Sequence, residues 1–145
     1  MGKPLTILRM LLLLMIFWPA GVSRAAAEVI LVVNHDNSLA AISERAAERI
    51  FLGKKTEWSQ AGGHIHVVVN NDPQIYPAFC RQILKKTALQ YLLYRKKMLF
   101  TGSGLPPLAM ENDEEVKCFV AANRDAIGFI RKDSLDSRVK QLFIR

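Results

Sequence analysis

The chain has 145 residues, half of them hydrophobic, with 20 basic and 13 acidic side chains and a net charge of +7. That length allows one domain with one core. Two cysteines and three histidines, with no paired spacing among the cysteines, argue against a cysteine-based metal module.

The N-terminus is read first, because it changes the balance. Lys3 and Arg9 begin it, Met10 to Trp18 is apolar, and Pro19, Ala20, Gly21 and Ser23 break the run. Ala25-Ala26-Ala27 then offers a small-residue cleavage site. This reads as a secretory signal peptide over residues 1–27, cleaved near Ala27. The other reading is an uncleaved anchor, although nine apolar residues are short for a bilayer. Cleavage leaves one domain, Glu28 to Arg145, with 17 basic and 13 acidic side chains and a net +4. An exported, periplasmic protein is expected. Nucleic acid is therefore not an expected partner, and the residual charge implies a modest attraction for anions.

Along the mature chain, Val29 to Val33 is a continuous apolar run that suits a strand buried on both faces. Asn34-His35-Asp36-Asn37 ends it as a turn. Ser43 caps a helix carrying Ala46, Ala47, Ile50 and Phe51 at helical spacing, and Gly53 closes it. Ile65 to Val69 is a second strand. Asn70-Asn71-Asp72-Pro73 turns it into a helix that runs to Leu84, with Pro73 and Pro77 in the opening turn. Thr87 caps another helix, on which Leu89, Leu92, Leu93 and Lys96 share related faces. Thr101 to Pro107 is a loop. Asn112 caps a helix with Asp113, Glu114 and Glu115 in its first turn and Val116, Phe119 and Val120 as its core stripe. Ile127 to Ile130 and Val139 to Ile144 are strands. This alternation predicts a three-layer α/β domain with a mixed or mostly parallel sheet flanked by helices.

Each candidate for chemistry has a plainer reading beside it. His64 and His66 would share one strand face, as two metal ligands can, but no third ligand is marked and an exposed strand face accounts for them. Gly102-Ser103-Gly104 lacks the lysine and helix start of a nucleotide loop. The serines have no nucleophile-elbow context and the cysteines no protease signature. An enzyme is not expected, nor is a cofactor. Cys80 and Cys118 each fall in a predicted helix and can each face the core; whether they form a disulfide is open. The basic groups Lys54-Lys55, Lys85-Lys86, Arg95-Lys96-Lys97 and Arg131-Lys132 read as solvated faces or, if they converge, as a partner surface.

Two stretches carry a resemblance. ERIFLGKKTEWSQAGGHIHVVV, residues 48 to 69, resembles a segment of the periplasmic phosphate-binding proteins of ABC transporters, through Ile50, Phe51, Gly53, Lys54 and Trp58. EEVKCFVAANRDAIGFI, residues 114 to 130, matches a second segment of that family through Val120, Asn123, Ala126, Ile127 and Gly128. Arg124 and Asp125 stand where the family has Pro-Gly, and Phe129 where it has Tyr. The resemblance implies a single lobe of a type 2 periplasmic binding protein. Burying a ligand would then need a partner chain or a homodimer. It also implies an anion such as phosphate at the turn after the second strand, where the family carries Asp-Gly-Ser-Gly-Thr-Arg. Here those positions are Asn71-Asp72-Pro73-Gln74-Ile75-Tyr76. Both hydroxyls, both glycines and the arginine are replaced, and each lost charge-assisted bond is worth about 1.5–3 kcal/mol. By position, Asn71, Asp72, Gln74 and Tyr76, with Thr101 and Ser103, are the candidate ligand residues. The alternative is a periplasmic accessory module that docks on a membrane transporter or sensor without binding a small solute.

Overall fold

The computed structural model describes residues 26–59 and 62–145. All but the last two residues of the expected leader lie outside that range. Six strands form one sheet: β1 (Val29–Asn34), β2 (Ala41–Ile42), β3 (His66–Asn70), β4 (Leu108–Met110), β5 (Ala126–Arg131) and β6 (Val139–Ile144). Their order across the sheet is β2-β6-β1-β5-β3-β4. β1 is antiparallel to both of its neighbours, β5 and β6, while β3 runs parallel to β5 and β4, and β2 parallel to β6. Five strands therefore point one way and β1 alone points back.

Among the described residues four α-helices flank the sheet: α1 (Glu44–Phe51), α2 (Ile75–Gln82), α3 (Ala88–Thr101) and α4 (Asp113–Ala122). Alternate residues of β1 feed two cores. Val29, Leu31 and Val33 face the larger one, with Ile50 and Phe51 of α1 and Phe79 and Cys80 of α2. Ile30 and Val32 face the smaller one, with Val116 and Val120 of α4. This is the expected three-layer α/β arrangement with a mostly parallel sheet. The rings of Phe79 and Phe129 stack at 3.7 Å and nearly parallel, which pins α2 onto β5. Gly128 is needed for the other layer. A Cβ there would lie 2.7 Å from Val116 Cγ1 and 3.2 Å from Val68 Cγ2, so α4 could not approach the sheet.

The caps are local and match the sequence. Ser43 Oγ accepts the Ala46 N–H, Asn112 Oδ1 accepts that of Glu115, and Thr87 forms a capping box with Gln90. Gly53 follows α1 at φ +69°, a left-handed conformation that favours glycine.

Three features differ from the sequence reading. The strands β2 and β4, two and three residues long, are additional. The buried side of α3 is Tyr91 and Met98, with Tyr94 beside them, and the leucines point outward. The reason lies at the end of α1. Tyr91 Oη donates to Phe51 O at 2.8 Å and Tyr94 Oη to Leu52 O at 2.6 Å, satisfying carbonyls that the ended helix leaves open. Finally, Cys80 is buried in α2 on one side of the sheet, whereas Cys118 is exposed on α4 on the other. Both are free thiols, so Cys118 is not the core residue the helical pattern allows.

Candidate functional site

The turn between β3 and α2 is the natural place to look, because a helix start offers unpaired N–H groups to an anion. Asn70 anchors it. This residue is fully buried; its Nδ2 donates to Asp113 Oδ1 at 2.7 Å and its Oδ1 accepts the Asp72 N–H at 3.0 Å. The Asp72 carboxylate then turns back over the helix start. Its Oδ1 accepts the N–H groups of Gln74 at 2.8 Å and Ile75 at 3.3 Å. Its Oδ2 accepts Arg131 Nη2 at 2.7 Å. Arg131 Nη1 reaches Asp113 Oδ2 at 3.2 Å, and Ser134 Oγ donates to that same oxygen at 2.6 Å.

The helix start therefore already holds an anion, supplied by the chain. Burial pushes the Asp72 carboxyl up, but the Arg131 hydrogen bond and the two N–H groups outweigh it and hold the group below the usual carboxylate value. The hydrogen bond to Asp72 likewise raises the Arg131 guanidinium above its usual value. An incoming phosphate would have to displace a carboxylate with one cation and two N–H groups on it, next to a second carboxylate on Asp113.

The sequence candidates do not all gather at this turn. Asp72 is the centre of the network. Asn71 is exposed, with its N–H on Met110 O, and Gln74 is exposed at the helix start. Tyr76 is half-buried, its ring stacked on Tyr91 at 6.0 Å. Thr101 and Ser103 close α3 instead, their hydroxyls 2.9 Å apart and Thr101 Oγ1 on Lys97 O. Sequence reasoning missed Arg131, Asn70, Asp113 and Ser134 as site residues. Arg131 was visible only as half of a basic pair, and Asp113 only as part of an acidic first turn.

A second feature adjoins the turn. A groove of about 430 Å³ is lined by Asn71, Tyr76, Leu92, Arg95, Lys96, Leu99 and Pro106. Two of its walls are cations and none is an acid. Tyr76 Oη and Arg95 Nε are buried there without a hydrogen-bond partner. Arg95 also lies over the Tyr91 ring at 5.8 Å and donates from Nη2 to Pro107 O at 3.4 Å. Elsewhere, His64 and His66 are exposed, with ring centres 5.7 Å apart. They line a mostly apolar groove of about 480 Å³ with Lys55, Met98, Leu105 and Leu108 among its other walls. Among the described residues no group of three His, Cys, Asp or Glu side chains comes together to hold a metal.

This lobe architecture is found in solved structures. A phosphate ABC transporter substrate-binding protein from Clostridium perfringens, solved with bound phosphate, superposes with a TM-score of 0.65 at 18% identity, covering 81% of this chain and 45% of that one. An ABC-type phosphate transport receptor from Vibrio cholerae gives a TM-score of 0.56 at 22% identity, over 81% and 46% of the two chains. PstS from Borrelia burgdorferi gives 0.59 at 15% identity, over 82% and 47%. The chain thus has the fold of one part of a phosphate ABC transporter substrate-binding protein and spans less than half the length of these neighbours. No protein-family model matches the sequence, and no curated relative matches it.

Proposed function

We propose that this chain is an exported, single-lobe domain of the solute-binding-protein type that does not grip phosphate at the β3–α2 turn. It acts as an accessory module at the cell envelope, docking on a membrane component such as a transporter or sensor. The fold supports the relationship, and one observation supports the loss of the anion site. The Asp72 carboxylate occupies the N–H groups and the guanidinium that a bound anion would need. The expected leader over residues 1–27 supports export. Nothing catalytic is proposed: Asp72, Asp113, Arg131 and Ser134 bond one another, and the carboxylate that accepts the Ser134 hydroxyl is also held by Arg131.

Calorimetric titration with inorganic phosphate tests this. The wild-type chain is expected to give no saturable heat into the millimolar range. Micromolar binding would overturn the reading and return the chain to the phosphate receptors.

A further inference from the structure

We propose that the outward face of α3 is an adsorption surface for an anionic lipid bilayer. The inference rests on α3 and not on the state of the β3–α2 turn.

The charge pattern comes first. From Pro73 to Met110 there is no aspartate or glutamate, while Arg81, Lys85, Lys86, Arg95, Lys96 and Lys97 are all basic. The rest of the chain from Glu28 onward carries 11 basic against 13 acidic side chains. The positive excess of the mature domain therefore comes from this one segment. Lys85 and Lys86 pair with Glu44 and Glu48 of α1. Among the described residues no carboxylate pairs with Arg95, Lys96 or Lys97.

The apolar pattern occupies the same helix. Leu89, Leu92, Leu93, Leu99 and Phe100 recur at helical spacing and are 39–85% exposed, opposite the buried side formed by Tyr91 and Met98. Leu105, in the following loop, is 91% exposed. At about 100° per residue, Lys96 falls within this stripe, and Arg95 and Lys97 flank it on either side. The helix is about 21 Å long, so the stripe is an extended ridge and not a point contact.

A ridge of leucines bordered by unpaired cations is the pattern of a helix lying in a membrane interface. Its apolar side chains enter the acyl boundary and its lysines reach the headgroups. Arg95 and Lys96 also wall the groove beside Asn71 and Tyr76, where Arg95 Nε and Tyr76 Oη lack partners. A headgroup phosphate in that groove would meet two cations and no carboxylate. A second copy of the chain fits this face less well, because pairing α3 with itself brings two cationic triplets together without an acid between them.

The test uses the full chain, so that every variant shares the same N-terminus. An environment-sensitive fluorophore is attached at Leu93→Cys in a Cys118→Ser background, and in a second sample at native Cys118 on the opposite side of the sheet. Vesicles of neutral lipid alone, or with about 30% anionic phospholipid, are then titrated in. The Leu93 label is expected to shift to the blue and to be quenched by brominated acyl chains on anionic vesicles only, while the Cys118 label does not respond. Lys96→Glu with Lys97→Glu is expected to weaken the response at least about tenfold. An equal response on neutral vesicles, an equal response at Cys118, or no effect of the charge reversal would overturn the proposal. So would displacement by inorganic phosphate beyond that of chloride at equal ionic strength, which would make the groove a site for the free anion. Lack of any vesicle response, with capture of an acidic protein instead, would overturn it too. None of these outcomes depends on the phosphate titration of the wild-type turn.

Discussion

Replacing Asp72 with alanine removes the anion built into the β3–α2 turn, and the structure allows the consequence to be worked out. The lost bonds are the cap to Gln74 and Ile75 and the ion pair to Arg131. A cap of this kind is worth about 1 kcal/mol. The side chains of Asp72 and Arg131 are 18% and 27% exposed, so their pair is discounted to about 1 kcal/mol against the larger values of fully buried charges. The variant should lose about 2 kcal/mol, or roughly 8 °C in Tm for a domain of this size. It also leaves Arg131 and two helix N–H groups facing an empty place. Phosphate that binds there with a dissociation constant of about 5 mM would restore about 1.4 kcal/mol at about 50 mM. The assay is urea unfolding followed by circular dichroism, in phosphate and in chloride of matched ionic strength. Wild-type protein is run in parallel, because phosphate strengthens apolar burial in any protein. Asp72→Asn, which keeps a capping oxygen, should lose only the ion-pair share. If phosphate stabilises wild type and Asp72→Ala equally, the carboxylate is not standing in an anion's place. A loss below about 0.5 kcal/mol would show that the network carries little stability.

Two further outcomes are expected. The Asp72 carboxyl titrates below its usual value in the folded chain, so its contribution is complete above the unfolded value of 3.8 and is lost as pH falls through the folded one. Urea midpoints of wild type and Asp72→Asn should therefore differ at neutral pH and converge below pH 3.8; parallel curves across that window would contradict the ion pair. Burial pushes the Cys80 thiol up to about 11, whereas Cys118 is exposed, so a thiol reagent at neutral pH should modify one cysteine quickly and the other only on unfolding. Rapid modification of both would contradict the packing of α2.

The elements that sequence revealed are those whose signals are local. Ser43, Thr87 and Asn112 mark three helix starts by their own side chains, and continuous apolar runs mark β1, β3 and β5. The resemblance also pointed to the right fold, and one of the residues that carried it, Gly128, meets a packing need here, the close approach of Val116 and Val68. What stayed hidden depends on distant partners. Ala41 and Ile42 form a strand only because Phe143 and Ile144 lie beside them. The leucines of α3 suggest an inward face, and the tyrosines override them by bonding the carbonyls that end α1. Arg131 is 59 residues from Asp72, so no spacing rule joins them.

Fold and free charge therefore point to different parts of the molecule. The β3–α2 turn has the strand–turn–helix geometry in which an anion can sit, but the cation beside it, Arg131, is shared between Asp72 and Asp113. An electrostatic site must hold capacity in reserve to attract a ligand, and this turn holds none. On α3, Arg95, Lys96 and Lys97 border exposed leucines, and among the described residues no carboxylate pairs with them. Function follows the site and not the fold. A lobe whose β3–α2 turn is closed by its own aspartate, and whose α3 carries both exposed leucines and cations without carboxylate partners, is suited to holding a surface.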